Sequence, residues 1–201
     1  MTAARWLGRG TAGAVAAASL VLGAACGSSP EPPPAMVALA PFALVDQRGE
    51  PFGSEDLRGH PYVVDFIFTS CPDVCPTMSA QLANLDRRLA DVEELRFVSI
   101  TVDPAHDTPE ELRAYGQRFG ADPARWHLLT GEPDRVEQVI EQTFFSPVGE
   151  RLDRPDGRYE ILHGQRFLLV DGEGSLRGIY DRDRDGLERL EEHVRLLAGA
   201  S

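Results

Sequence analysis

A hydrophobic segment that ends at a pair of cysteines constrains the fold more than any other feature of this sequence. Residues 62–68, YVVDFIF, form a nearly continuous apolar run of strand length, as expected for a strand that is buried on both faces of a sheet. Residues 76–90 follow with apolar side chains at helical spacing. A buried strand that passes directly into a helix is typical of an α/β fold.

The rest of the chain repeats this alternation. Strand patterns occupy residues 96–102, 126–130, 166–171 and 175–180, and helical patterns occupy residues 108–119, 133–144 and 186–198. Two short strands are predicted within residues 36–53, and residues 145–162 indicate an inserted loop or small hairpin. We expect a mostly parallel sheet core, with the hairpin of residues 166–180 supplying antiparallel edge strands. The plan is α/β and thioredoxin-like (peroxiredoxin-like), with an N-terminal β extension.

The overall composition excludes several classes of protein. The 201 residues are 42% hydrophobic and 26% charged, which favours one globular domain over a disordered chain or a protein with many membrane spans. Acidic residues outnumber basic ones, 32 to 20, and the net charge is −12. Because contact with phosphates needs a positive surface, this balance argues against a nucleic-acid partner and is compatible with cationic partners, including metal ions.

The N-terminus carries an export signal. Residues 1–25 hold two arginines, an apolar run and then small residues, which together predict a signal peptide. Cys26 follows directly, as in bacterial lipoproteins, where this cysteine carries the lipid. Residues 26–36 form a Ser/Pro-rich tether before a folded domain at residues 37–201. We therefore expect lipidation of Cys26 at the outer face of the cytoplasmic membrane; cleavage after Ala25 or an uncleaved transmembrane anchor are the alternatives.

Cys71 and Cys75 lie where the strand of residues 62–68 gives way to a helix. Backbone N–H groups and the helix dipole at such a junction favour thiolates. In an ideal helix the two Cβ atoms would lie about 6 Å apart, too far for a disulfide, which needs roughly 3.5–4.5 Å. A disulfide between Cys71 and Cys75 therefore requires a loosened turn, whereas the reduced pair can chelate a soft cation. A purely structural disulfide is the plain alternative.

Two thiolates suit copper or zinc, and a trigonal copper site accepts one imidazole as its third ligand. His163 is the strongest candidate, because it directly precedes a predicted buried strand in a loop that lies against the dithiol in a thioredoxin-like fold. The other histidines have simpler interpretations as loop, core or distant residues: His60, His106, His127 and His193.

The segments FTSCPDVCPTM and SITVDPAHDTPEELRAY, with His163 before FLLVDGEGSLRGIY, resemble the Sco/SenC family from about residue 40 to residue 197. The resemblance implies a tethered extracytoplasmic protein that binds one copper ion, Cu(I) or Cu(II), through Cys71, Cys75 and His163. It also implies a metallochaperone for the dinuclear copper site of cytochrome c oxidase subunit II, with other copper chaperones as further partners. A thiol–disulfide reductase that uses Cys71 and Cys75 to keep the oxidase cysteines reduced is the alternative.

One departure from the family pattern affects the surroundings of His163. Relatives commonly place Asp directly before this histidine and Ser or Thr after it, whereas Leu162 and Gly164 stand here. A carboxylate that would orient the imidazole is therefore missing. Asp73 and Asp103 are the nearest substitutes in the sequence, and both are interpreted as solvated carboxylates of a turn or loop.

Overall fold

The computed structural model describes residue 2 and residues 31–72 and 74–199, and the segments that the sequence predicts as strands and helices lie within these ranges. The strands are β1 (Val37–Ala38), β2 (Ala43–Asp46), β3 (Pro51–Gly53), β4 (Tyr62–Ile67), β5 (Arg96–Thr101), β6 (Trp126–Thr130), β7 (Arg151–Asp153), β8 (Tyr159–Ile161), β9 (Phe167–Val170) and β10 (Ser175–Tyr180). The α-helices are α1 (Val74–Arg88), α2 (Pro109–Phe119), α3 (Pro133–Gln138) and α4 (Arg184–Gly199). Cys26 and, apart from residue 2, the signal segment lie outside the described residues.

Eight strands form one sheet in the order β1-β10-β9-β4-β5-β6-β2-β3. The predicted parallel core is confirmed for β4, β5 and β6. The antiparallel part of the sheet is larger than predicted, because every other ladder in this sheet is antiparallel. The hairpin of β9 and β10 is also not at an edge, since β1 pairs outside β10. β9 follows the inserted hairpin rather than a helical crossover, and an antiparallel neighbour needs no such crossover.

The strand β4 lies in the middle of the core. All six of its residues are buried, which explains its almost unbroken apolar sequence. Helix α1 buries Met78, Leu82 and Leu85, and this confirms the helical spacing seen in the sequence. Because β4 and α1 are consecutive, the loop between them is held at the carboxyl end of a buried central strand.

The loop after β5 ends in a well-defined helix start. Thr108 is the N-cap of α2, and its hydroxyl accepts a hydrogen bond from the backbone N–H of Glu111 at 3.3 Å, with Pro109 at the first helical position. The sequence Thr-Pro-Glu-Glu at residues 108–111 predicts a capping box, and the hydrogen bond to its Thr side chain is confirmed. This cap fixes the end of the loop of residues 102–108.

The helix predicted at residues 133–144 is regular only as far as Gln138. Residues Val139–Thr143 form a π-helical turn, and Phe144 then packs edge-to-face against Phe42 and Phe66. Such turns insert one extra residue into a helix. The inserted segment of residues 145–162 contains the predicted hairpin, in which β7 pairs with β8 as a separate two-stranded sheet.

Candidate metal and dithiol site

Cys71 lies before the start of helix α1, whereas Cys75 lies within it. The backbone N–H of Cys71 donates to the Phe68 carbonyl at 3.1 Å, and α1 begins only at Val74. Cys75 lies in the first turn of α1, where its backbone N–H donates to the Cys71 Sγ at 3.3 Å. Both side chains are thiols in the structure. Cys71 thus lies just before the helix whose first turn contains Cys75, and a disulfide between the two cysteines remains a prediction.

Cys75 is the more deeply placed of the two cysteines. Its side chain is fully buried, whereas Cys71 is half-buried. The hydrogen bond with Cys71 and the burial of the thiol raise the pKa of Cys75 above its usual range. For this residue the thiolate predicted at the helix N-terminus is disfavoured in the metal-free chain. A cation placed beside the sulfur would favour its ionisation.

The imidazole of His163 faces Cys75. Its Nδ1 lies 2.7 Å from the backbone carbonyl of Ile161, and because a carbonyl can only accept, the neutral ring carries its proton on Nδ1. The Nε2 lone pair is thus available, and Nε2 lies 3.9 Å from the Cys75 Sγ. A trigonal metal with ordinary bonds to one sulfur and one nitrogen separates these atoms by about 3.8 Å.

The Ile161 carbonyl takes the part that a carboxylate would play beside a metal-binding histidine. Metal-ligating histidines commonly donate the second ring N–H to a carboxylate or a backbone carbonyl, which fixes both the tautomer and the ring orientation. The sequence predicted that this support is lost with Leu162. The structure shows instead that the backbone carbonyl of Ile161 supplies this support. Because every residue has such a carbonyl, the sequence gives no sign of this role.

The described residues contain no ready-made cluster of metal ligands. Among residues 31–72 and 74–199, no group of three or more His, Cys, Asp or Glu side chains lies close enough together to hold a metal ion. The site therefore consists of the close Cys75–His163 pair with Cys71 at its border.

The remaining histidines are engaged elsewhere, as the sequence predicted. Their partners are Glu94 for His60, Asp103 for His106, the ring of Phe52 for His127 and the Tyr180 hydroxyl for His193. Burial lowers the pKa of His127 to about 4, which keeps this core histidine neutral near pH 7.

The interpretation of Asp103 as a solvated loop carboxylate is wrong. Its side chain is buried; one oxygen accepts from the Tyr159 hydroxyl and the other lies 2.8 Å from Nδ1 of His106. Tyr159 lies on β8, far along the chain, so the sequence near Asp103 gives no sign of this partner. The loop after β5 is thereby joined to the inserted hairpin. Asp73, the other suggested carboxylate, lies outside the described residues.

Asp107 makes a second connection, which the sequence did not reveal. Its carboxylate accepts from the backbone N–H and hydroxyl of Thr69, at 3.0 and 2.5 Å, and from the Thr101 hydroxyl at 2.5 Å. Burial raises the pKa of Asp107 even though these hydrogen bonds oppose it. Since Thr69 lies just before Cys71, this carboxylate anchors the cysteine loop to the end of β5.

Asp65 is a further buried acid near the site. One carboxylate oxygen accepts from the Ser99 hydroxyl at 2.6 Å, and within the described residues the other has no hydrogen-bond partner. Burial raises the pKa of Asp65 to about 7, and the charge of Asp65 in turn raises the pKa of Cys75. An acid inside the apolar run YVVDFIF was the sequence signal for this residue.

Comparison with known proteins places this arrangement in a family. The SCO1/SenC family profile matches residues 31–198. The chain belongs to the SCO1/SenC family. It is 30% identical over 166 residues to the SCO1 protein homolog of Bacillus subtilis strain 168, which covers 82% of each protein. It is 38% identical over 154 residues to the SCO2-like protein of Rickettsia prowazekii strain Madrid E, over 75% of this chain and 73% of the relative.

Solved structures of the family share the fold. A SCO1/SenC family lipoprotein of Bacillus anthracis aligns with a TM-score of 0.71 at 34% identity, over 80% of this chain and 95% of its own. Bradyrhizobium japonicum ScoI with copper bound aligns with a TM-score of 0.70 at 28% identity, over 80% and 99%. BsSco, described with a disulfide switch as a member of the Sco family of cytochrome c oxidase assembly proteins, aligns at 0.70 and 25% identity, over 85% and 98%. The predicted thioredoxin-like fold and the Sco/SenC resemblance are confirmed.

No helix within the described part of the chain is both long and apolar enough to cross a membrane.

Proposed function

We propose that this chain is an exported, membrane-tethered copper metallochaperone that serves the assembly of the dinuclear copper site of cytochrome c oxidase. Cys71, Cys75 and His163 hold one copper ion, and a lipid on Cys26 keeps the domain at the outer face of the cytoplasmic membrane. The observation that carries the proposal is the Nε2 atom of His163 at 3.9 Å from the Cys75 Sγ, with the opposite ring nitrogen held by a carbonyl.

The donor set matches copper in both oxidation states. Thiolates are soft ligands that stabilise Cu(I), and an imidazole nitrogen is a borderline ligand that also suits Cu(II). Loading releases the thiol protons, and the copper charge offsets the cost of ionising the buried Cys75. Half-buried Cys71 is the more accessible ligand, so an acceptor thiol can displace it first and take the copper by successive ligand exchange. Membership in a family with copper-bound members supports this reading.

A second candidate function uses the same cysteines without metal. The half-buried Cys71 attacks a partner disulfide and forms a mixed disulfide, with one partner sulfur released as a thiolate. Cys75 loses its proton and attacks the Cys71 sulfur, which closes the Cys71–Cys75 disulfide and releases the second partner thiol. The partner gains the two electrons that this pair loses. The contact between the Cys75 amide and the Cys71 sulfur favours this chemistry, as does the disulfide switch described for BsSco.

Replacement of His163 distinguishes the two functions. His163→Ala removes the nitrogen ligand but leaves both thiols, so we expect loss of stable Cu(II) and of its thiolate-to-copper absorption while Cys71 and Cys75 still form a disulfide. The matched control is His60→Ala, because His60 is bound to Glu94 away from the cysteines. Cells carrying His163→Ala should lose cytochrome oxidase activity, with partial recovery on added copper. Full oxidase assembly under copper limitation would favour the reductase function instead.

A further inference from the structure

We propose that Tyr159 is a positioning residue, which holds the inserted hairpin so that the imidazole of His163 faces Cys75. This inference rests on the proposed copper function, since it concerns how one ligand is oriented. Tyr159 is not one of the proposed ligands; it acts through the strand β8 and the ring of Phe68.

The hairpin needs an anchor outside itself. Strands β7 and β8 form a separate two-stranded sheet, and all three residues of β7 are exposed. A two-stranded hairpin is only marginally stable by itself in water. The His163 imidazole is nevertheless held by the carbonyl of Ile161, the last residue of β8. The orientation of the imidazole therefore depends on what fixes β8 to the body of the protein.

Tyr159, the first residue of β8, supplies this attachment. Its hydroxyl donates to the buried carboxylate of Asp103, whose other oxygen lies 2.8 Å from His106 Nδ1. Burial, together with the adjacent Asp103 charge, raises the pKa of Tyr159 to about 12, so the hydroxyl remains a donor at neutral pH. Tyr159 and Ile161 are both buried in β8, so the attachment of the Tyr159 ring also fixes the strand whose last carbonyl holds His163.

The Tyr159 ring also contacts two further side chains. The guanidinium carbon of Arg151, on β7, lies 3.6 Å from the ring centroid, and its Nη1 is 3.5 Å from His106 Nε2. The ring of Phe68 stacks on Tyr159 with centroids 5.6 Å apart. We refer to Asp103, His106, Arg151 and Tyr159 as the Tyr159 clamp.

Phe68 contacts both Tyr159 and His163 and so connects the Tyr159 clamp with the candidate site. Besides stacking on Tyr159, its ring meets the His163 imidazole edge to face, with centroids 5.8 Å apart. The Phe68 carbonyl also accepts the hydrogen bond from the Cys71 N–H. A change in the position of Tyr159 therefore reaches the imidazole by two routes: through the backbone of β8 and through a ring that adjoins the cysteine turn.

The test compares Tyr159→Phe with wild type. This substitution keeps the ring and removes the hydroxyl, which leaves one oxygen of the buried Asp103 without that donor. In the metal-free protein, we expect amide hydrogen exchange at residues 151–161 to become about tenfold faster. In the copper form, we expect a shifted thiolate-to-copper(II) absorption band and about tenfold faster loss of copper to a chelator. If Tyr159 only stabilised the fold and did not orient His163, its substitution would not alter the absorption band.

Tyr180→Phe is the matched control, because it removes another tyrosine hydroxyl, one that lies 2.7 Å from His193 Nδ1 and has no contact with the clamp. It should change neither the exchange at residues 151–161 nor the absorption band. If Tyr159→Phe does not fold, Asp103→Asn weakens the same hydrogen bond and is measured in its place. Wild-type exchange and an unshifted band in the clamp variant would overturn the inference. Failure of the wild type to bind copper would instead reject the proposed function, and the exchange measurement would still decide on the clamp.

Discussion

Replacement of Asp65 by asparagine should stabilise the protein at neutral pH. The Asp65 side chain is fully buried in β4, and burial raises its pKa to about 7 from the ordinary value of 3.8. The folded chain therefore binds this proton more tightly than the unfolded chain, and the contribution of Asp65 to stability falls as the pH rises from about 4 to about 7. Above that range the carboxylate is charged in both states, and its full burial cost remains.

The magnitude follows from the two pKa values. Their difference corresponds to about 4 kcal/mol between the protonated and ionised forms. Asparagine has nearly the shape of a protonated aspartic acid and can keep a hydrogen bond with Ser99. Asp65→Asn should therefore change the free energy of unfolding little near pH 4, and increase it progressively, by up to about 4 kcal/mol, at a pH above about 7.

Urea unfolding of the reduced, metal-free protein at a series of pH values, followed by circular dichroism, measures this difference. Asp46→Asn is the matched control. Burial alone would raise the pKa of Asp46, but hydrogen bonds from the Arg48 side chain and from the backbone of Arg48 and Glu50 outweigh burial and lower it. Asp46 thus stabilises the fold at neutral pH, and this variant should be destabilised there. A pH-independent effect of Asp65→Asn, or a loss of stability at neutral pH, would refute the reasoning.

Two further predictions concern the tether and the loop after His163. Cys26→Ala should abolish globomycin-sensitive processing and release the domain from the membrane fraction; a variant that stays membrane-bound would indicate an uncleaved anchor. Gly164→Ala should weaken copper binding several-fold, because a Cβ atom at Gly164 would lie 2.5 Å from the Ser146 Oγ, and either the Ser146 side chain or the loop beside His163 must shift. Adding Ser146→Ala removes that oxygen and should restore the affinity measured by chelator competition; no recovery would exclude this clash as the cause.

The elements of the fold could be read from the sequence, because each has a strong local signal. The apolar run of β4, the helical spacing of α1 and the capping box at Thr108 all depend on neighbouring residues, and all were located within a few positions. The order and direction of the outer strands could not be obtained in this way. β9 pairs antiparallel with β4 although about a hundred residues separate them, and no local pattern encodes that pairing.

The candidate site was likewise only partly predictable from the sequence. The sequence predicted that Cys71 and Cys75 lie at the end of β4, and it singled out His163, which the structure brings next to Cys75. The proposed ligand set remains a prediction. The sequence did not reveal the burial of Asp103, because an acidic residue in a loop is normally solvated and its partner Tyr159 comes from the inserted hairpin.

The support of His163 by a backbone carbonyl changes how the departure at Leu162 is understood. Leu162 is 62% exposed. The absence of a carboxylate at this position therefore leaves no gap in the core. The imidazole is oriented by the Ile161 carbonyl, and every residue type has a carbonyl at that point of the chain. The identity of residue 162 can therefore vary without loss of the tautomer that presents Nε2 to Cys75. What must be kept is the path of β8, and that path depends on Tyr159 and the carboxylate beneath it rather than on the neighbours of the histidine.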